Sequence, residues 1–295
     1  MKHPVELFLD SGAYSAFSQG VTVDIDEYID FIKAHQKYLA VYANLDVIGD
    51  PVATMKNQKY MESKGLKPLP CFHFGEDFKY LDYYLDRYDY LAFGGMVGKH
   101  TPALSSWLDK TFNIICDQES RLPRVKVHGY GMTSLMLMIR YPWYSVDSTS
   151  WVVQSRLGDI MVPRQGKDGG LIYNDRMLKI QTSSRSSRLT EKDEHYTTLS
   201  PHLKAHVDKY ISDKGYVMGK SEFKTVAESY ELKENERWFG KASRGKRVIE
   251  RTLEPGLCND YKKRDELNVM YFLDLEESLQ PWPWPFKAQE SGFGL

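Results

Sequence analysis

The chain reads as an α/β protein whose βα units build a parallel sheet, in the form of a TIM-type (β/α)8 barrel with inserted strands and a helical C-terminal part. Three observations lead there. Six short apolar runs, each closing on polar or glycine residues, recur through the first half. Stretches with helical periodicity separate them. The runs begin about 20 to 35 residues apart, which suits minimal βα repeats. A doubly wound open sheet shares this rhythm, but no G-x-G-x-x-G follows the first run, so its dinucleotide-binding version has no support and the barrel is favoured.

The first run is VELFL (5–9), closing on Asp10-Ser11-Gly12. IDEYIDFIKAHQKYL (25–39) follows as a helix, with Ile25, Tyr28, Ile29, Phe31 and Ile32 at helical spacing. LAVYANL (39–45) ends at Asp46, and the next helix starts with Asp50 as N-cap and Pro51 at its first position. LKPLPCFHF (66–74) ends in Gly75-Glu76, YLAF (90–93) in Gly94-Gly95, RVKVH (124–128) in Gly129-Tyr130-Gly131, and WYSV (143–146) in Asp147-Ser148-Thr149. Residues 1–155 thus hold six βα units, and 156–295 hold the remainder.

The second half changes character. Residues 157–182 carry hairpin-like breaks (DIMVPR, GKDGG, LIYND, MLKIQT) and read, with the polar loop SSRSSRLTEKDE (183–194), as an insertion over 157–195. LSPHLKAHVDKYISDKG (199–215) is a helix that starts at Ser200-Pro201 and stops at Gly215. The charge-rich segment 224–253 is expected to be helical, and PWPWPF (281–286) to be a packed tail. Strands seven and eight are not located, which leaves room for an irregular barrel.

Composition narrows the function classes. The 295 residues are 42% hydrophobic and 13% aromatic, enough for a sizeable core. With 39 Lys+Arg against 40 Asp+Glu, the net charge of −1 excludes a uniformly basic nucleic-acid coat protein but not a local basic face. No apolar run approaches the roughly 20 residues of a membrane span, and the N-terminus lacks a secretory apolar region, so no membrane partner and a cytoplasmic location are expected. Cys71, Cys116 and Cys258 stand far apart, which suggests neither a disulfide framework nor a cysteine-rich zinc site.

The residues that close the runs carry the functional signal. Asp10, Asp46, the His73-Gly75-Glu76 group, Gly94-Gly95, His128 to Gly131 and Asp147 all follow apolar runs. In a parallel α/β protein the carboxyl ends of the strands share one face, where active sites are built. Taken singly, such an aspartate also serves as an N-cap, and such a glycine pair as a turn. Together they describe an enzyme-like cleft whose glycines let backbone approach a flat ligand.

The same residues resemble a known family. LDSGAYSAF (9–17) resembles the D-S-G-G-[YF]-Q segment of the tRNA-guanine transglycosylases. FGGMVG (93–98) is similar to their G-G-L-A-V-G-E, and VHGYG (127–131) to their [LM]-G-[VI]-G. YSVDSTSW (144–151) falls where they carry the F-D-[CS]-V-x-P-[TS]-R nucleophile segment. Order and spacing agree over residues 5–151. The family's C-x-C-x-x-C…H zinc subdomain has no counterpart, and Ser148-Thr149-Ser150-Trp151 replaces P-[TS]-R; both features look like the phage and bacterial branch that places 7-deazaguanine bases in DNA.

The resemblance implies a function: exchange of guanine in DNA for a 7-deazaguanine base, in the cytoplasm of the host if phage-encoded. The alternatives are the same exchange on tRNA, N-glycosidic hydrolysis without exchange, and a non-catalytic nucleic-acid-binding subunit. Asp147 would attack C1′ and hold a covalent glycosyl intermediate, because a carboxylate also stabilises oxocarbenium-like charge. Asp10 would be the general acid and base. Ser11 and Asp46 would hydrogen-bond the purine edge, a recognition worth about 1–3 kcal/mol per bidentate pair. Gly94, Gly95 and Met96 would contact the base and Tyr14 would stack on it. His73 stands where the family usually has a glutamine, and His128 would reach the 7-substituent or a phosphate. No cofactor and no metal are implied. A base inside a duplex must be flipped out, which requires phosphate contacts. The candidates are Arg185 and Arg188 in the serine-rich loop and the basic stretch Lys241, Arg244, Lys246 and Arg247, with Arg251 beyond it; a solvated helix face is the plainer use of the same charges.

Overall fold

Each of the first two long helices begins at an aspartate that can cap it. Asp24 Oδ1 accepts from the backbone N–H groups of Asp26 and Glu27 to open α2 (Ile25–His35), after the short α1 (Ala13–Gln19). Asp50 accepts from Val52 and Ala53 to open α3 (Pro51–Ser63), with Pro51 at the first position as the sequence predicts. In the computed structural model, residues 6–132 and 134–287 are described, so Val5 of the first apolar run lies outside the described residues. The chain divides into two compact units, Met1–Ser148 with Gln280–Leu295, and Thr149–Leu279.

In the first unit all six predicted strands form: β1 (Leu7–Leu9), β2 (Leu39–Tyr42), β3 (Cys71–His73), β4 (Tyr90–Gly94), β5 (Lys126–Gly129) and β6 (Ser145–Val146). Every pairing among them is parallel: β1 with β2, then β3-β4-β5-β6 in sequence order. A parallel bridge from Ala43 to Leu69 joins the two groups. Helices α4 (Phe78–Leu85), α5 (Thr101–Ile115) and α6 (Leu135–Arg140) alternate with the later strands.

Strand alternation sorts the side chains into two faces. Phe72, Leu91, Phe93 and Val127 pack with Trp107, Phe112, Tyr141 and Trp143 in the main core. Phe286, from the proline-rich tail, is fully buried in that core and stacks on Tyr141, so the tail is packed as the sequence predicts. Cys71 and Ala92 face the other way, towards Phe8, Val41 and Tyr130. Phe8 of β1 stacks on His128 of β5 with ring centroids 4.5 Å apart. In a flat sheet these strands would stand about 19 Å apart, four steps of roughly 4.8 Å. The sheet is therefore strongly curled, and its concave face holds Cys71, His73 and His128.

In the second unit, α7 (Ser150–Leu157) leads into two nested antiparallel pairs, β7 (Asp159–Val162) with β10 (Leu178–Gln181) and β8 (Arg164–Gln165) with β9 (Leu171–Ile172). They fulfil the hairpin expectation for 157–182. Helix α8 (Pro201–Asp213) starts at Ser200, whose hydroxyl accepts from Leu203 N–H, as predicted. It packs Val207, Tyr210 and Ile211 against Ile160, Ile180 and Leu267, the last from α9 (Tyr261–Ser278).

Residues 224–253 correct the sequence expectation. They are not helical but belong to an antiparallel sheet of β11 (Lys220–Ala227), β12 (Glu236–Ser243) and β13 (Lys246–Glu254), in the order β11-β13-β12. Its β-branched and aromatic residues, Thr225, Val226, Trp238, Phe239, Val248, Ile249 and Thr252, fall on the three strands and fit a pleated surface, and the many charges between them masked the pattern. Arg244 and Gly245 both have positive φ, +52° and +69°, which turns the chain tightly from β12 into β13. Among the described residues no helix is long and apolar enough to cross a membrane.

Candidate functional site

Parallel pairing in the first unit brings the strand-end residues to one edge. Asp10 follows β1, Asp46 lies beyond β2, His73 ends β3, Gly94 ends β4 and Asp147 follows β6. Asp46 is fixed from two sides: Ser11 Oγ donates to its Oδ1 at 3.2 Å, and His73 Nε2 lies 2.8 Å from its Oδ2. On the far side of the ring His73 Nδ1 meets Glu76 Oε1 at 2.9 Å, and His73 N–H donates to Glu76 Oε2. Burial opposes charge on this imidazole. The hydrogen bonds to Asp46 and Glu76 favour the charged form and outweigh it, holding its pKa above the usual histidine range. Cys71 itself is pushed up to about 11 by burial, so it stays a thiol at neutral pH.

Gly94 makes this cluster possible. It stands opposite His73 in the β3–β4 register, and a Cβ there would lie 2.8 Å from His73 Cδ2 and 2.9 Å from Cys71 Sγ. Asp46, Cys71 and His73 each offer one donor atom within 4.8 Å of the other two, with His73 Nε2 2.8 Å from Asp46 Oδ2 and 3.6 Å from Cys71 Sγ, a donor set able to hold a metal ion.

Asp147 is half exposed. Its Oδ1 accepts from Gly131 N–H at 2.7 Å and lies 3.6 Å from His128 Nε2. That nitrogen is buried with no hydrogen-bond partner among the described residues, while Nδ1 of the same ring bonds Ser145 Oγ at 2.7 Å, and Ser145 in turn bonds Tyr90. Burial first, then the charges of Asp147 and Asp46, raise the pKa of Asp10 above the ordinary carboxylate value; the backbone N–H groups of Ser11 and Gly12 partly offset them. The charges of Asp46 and Asp147, from the ends of other strands, thus both reach Asp10.

The other sequence candidates separate. Ser11 is buried against Asp46, and Tyr14 is 56% exposed on α1. Gly95 directly follows the cluster, but Met96 is buried in the main core. In the second unit the basic residues are dispersed by the strand structure. Arg185 is tied to the fold: its guanidinium donates to Trp238 O at 2.6 Å, stands 3.6 Å from the fully buried Glu250, and covers the Phe239 ring. Arg188 pairs with Glu191 and Glu194. Arg247 lies over Trp238 at 4.2 Å, and Arg251 is 3.5 Å from Glu222. Lys241, Arg244 and Lys246 gather exposed around the β12–β13 turn.

The sequence places Glu76 in the strand-end group without a role, and does not single out Cys71, Ser145 or Tyr90. The Cys-x-His spacing on a predicted strand was the available signal for Cys71, since alternate residues of a strand share a face. Ser145 and Tyr90 carry no such signal, because their partners lie on other strands. No protein-family model, curated protein or solved structure matches this chain.

Proposed function

We propose that the first unit is the catalytic part of a transglycosylase that exchanges guanine in DNA for a 7-deazaguanine base. The observation that carries this is that Asp10 and Asp147, 137 positions apart, both follow parallel strands of the first unit and so stand at one edge of it, near enough for the charge of Asp147 to raise the pKa of Asp10; the family resemblance gives the two acids complementary roles. In the first half-reaction Asp147 attacks C1′, the C1′–N9 bond breaks, and Asp10 gives its proton to the leaving guanine. In the second, the incoming base loses its N9 proton to Asp10 and displaces Asp147 from C1′. Two displacements on one face retain the β configuration.

The electrostatics fit these roles. A general acid must hold a proton near neutral pH, and the raised pKa of Asp10 favours that. A nucleophile must reach its target, and Asp147 is half exposed with one oxygen anchored by Gly131 N–H. Asp46, held between Ser11 and His73, keeps lone pairs for the N1–H and 2-amino group of guanine. A (β/α)8-type barrel is part of the same proposal. Its support is the parallel sequence order of the strands within β1-β2 and β3-β4-β5-β6, the Ala43–Leu69 bridge between those two groups, and the curl that stacks Phe8 on His128; an open doubly wound sheet reverses its strand order at a switch point. For the nucleic-acid grip, Lys241, Arg244 and Lys246 are the candidates, since they are exposed at a turn of the second unit while Arg185 serves the fold.

The test is mass spectrometry of nucleosides from DNA, and separately from tRNA, incubated with the protein and 7-cyano-7-deazaguanine. Modified deoxynucleoside is expected, with Asp147→Ala lowering the rate at least about 1,000-fold. Modification of tRNA alone would move the substrate. Release of guanine at full rate without an incoming base would make the protein a hydrolase. Full exchange by Asp147→Ala would overturn the site.

A further inference from the structure

The cluster behind Asp46 has the composition and geometry of a metal centre. Its donors are a carboxylate, a thiol and an imidazole: Asp46 Oδ2, Cys71 Sγ and His73 Nε2. This set suits a borderline ion such as zinc and is wrong for magnesium or calcium, which take oxygen ligands. Tetrahedral zinc with bonds of about 2.3 Å to sulfur and about 2.0–2.1 Å to nitrogen spaces those two donors about 3.6 Å apart. His73 Nε2 and Cys71 Sγ are 3.6 Å apart. The nitrogen-to-oxygen spacing would be about 3.3 Å in the same geometry. Here it is 2.8 Å, so Asp46, the most exposed of the donors, has to swing out by about half an ångström.

The surroundings match as well. A zinc-bound histidine usually donates its other ring N–H to a carboxylate, which fixes the ring. His73 Nδ1 already meets Glu76 Oε1 at 2.9 Å, and Glu76 Oε2 accepts from the His73 backbone N–H, so the outer shell is in place. Gly94 supplies the space, since any side chain there would strike both His73 and Cys71. The one donor with access to solvent is Asp46, which gives the ion a way in.

We propose that Asp46, Cys71 and His73 bind one zinc-class divalent ion, with Glu76 orienting His73 from outside. The fourth coordination position is left to water. The Asp46 Oδ1 that accepts from Ser11 stays outside the coordination. Zinc binding is measured without any exchange assay, so it stands or falls separately from the transglycosylase proposal.

The experiment uses the full chain stripped with chelator and titrated with Co2+, then with Zn2+ in competition. One equivalent of Co2+ is expected, with a near-ultraviolet thiolate-to-cobalt charge-transfer band that Zn2+ displaces and Mg2+ does not. Cys71→Ser should abolish the band; Cys116→Ser and Cys258→Ser should keep it. Glu76→Gln should weaken affinity about 10–100-fold. X-ray absorption of the unmutated protein gives an answer that needs no variant to fold: one sulfur and one imidazole among the ligands are expected. A bound ion without a sulfur ligand, a band that survives Cys71→Ser, or no bound ion at all would overturn the proposal.

Discussion

Replacing Gly94 with alanine tests the packing that holds the site together. The new Cβ would lie 2.8 Å from His73 Cδ2, 2.9 Å from Cys71 Sγ and 3.2 Å from His73 Nε2. Carbon atoms in good contact stand about 3.5–4.0 Å apart, so the ring and the thiol must together retreat by roughly 0.7 Å or more. Overpacking of this kind costs about 1–3 kcal/mol. His73 cannot retreat freely, because Asp46 and Glu76 hold it from both sides. Losing one of those hydrogen bonds to a charged group adds about 1.5–3 kcal/mol. The expected total is roughly 2.5–6 kcal/mol, or about 5–24 °C in Tm for a unit of this size. Thermal unfolding followed by circular dichroism reads it. Cys71→Ala removes one of the two obstacles, so the double variant Gly94→Ala/Cys71→Ala should lose less than the sum of the singles. An unchanged Tm for Gly94→Ala, or strict additivity in the cycle, would refute the steric reasoning.

Other perturbations follow from the same contacts. Asp10→Asn should abolish exchange yet stabilise the protein at neutral pH. The folded-state pKa of Asp10 is raised, so its ionisation costs stability as pH climbs from the ordinary carboxylate value through the raised one, and below that window the gain should vanish; urea unfolding at acid and neutral pH checks the sign. Glu250→Ala should destabilise the second unit by about 3–5 kcal/mol, because the buried carboxylate is hydrogen-bonded to Arg237 and Ser184 and faces Arg185, and denaturant melts would show the loss. Changing Lys241, Arg244 and Lys246 together to alanine should reduce the slope of log affinity for duplex DNA against log salt by about 2.7, roughly 0.9 per phosphate contact. Fluorescence anisotropy across a salt series measures that slope, and an unchanged one would remove the hairpin from the interface.

Local chemistry was legible from the chain alone. Asp24, Asp50 and Ser200 cap helices with their own side chains, and the two helix starts and the stop at Gly215 that the sequence predicts fall where it places them. The six apolar runs became six parallel strands because a short apolar run closed by polar or glycine residues is a property of the segment itself. That Asp10, Asp46 and Asp147 gather at one edge follows from the parallel direction, which the alternation of runs and helices already implied.

Pairing across strands was beyond the sequence. Nothing near Asp46 announces that His73 will clamp it, or that Glu76 will clamp His73 in turn, because those contacts depend on β-strand register and on the curl of the sheet. Charge-rich segments hide their period, so 224–253 looked helical until hydrogen bonding to β13 fixed it as a sheet, and the basic stretch became a turn rather than a helix face. Arg185 looked free for phosphate until Glu250 and Trp238 claimed it. The order of apolar and polar residues along the chain determined which segments become strands and helices and which acids end them; the fold alone decided which side chains meet, because a hydrogen bond between residues 27 or 66 positions apart exists only once the backbone between them has closed.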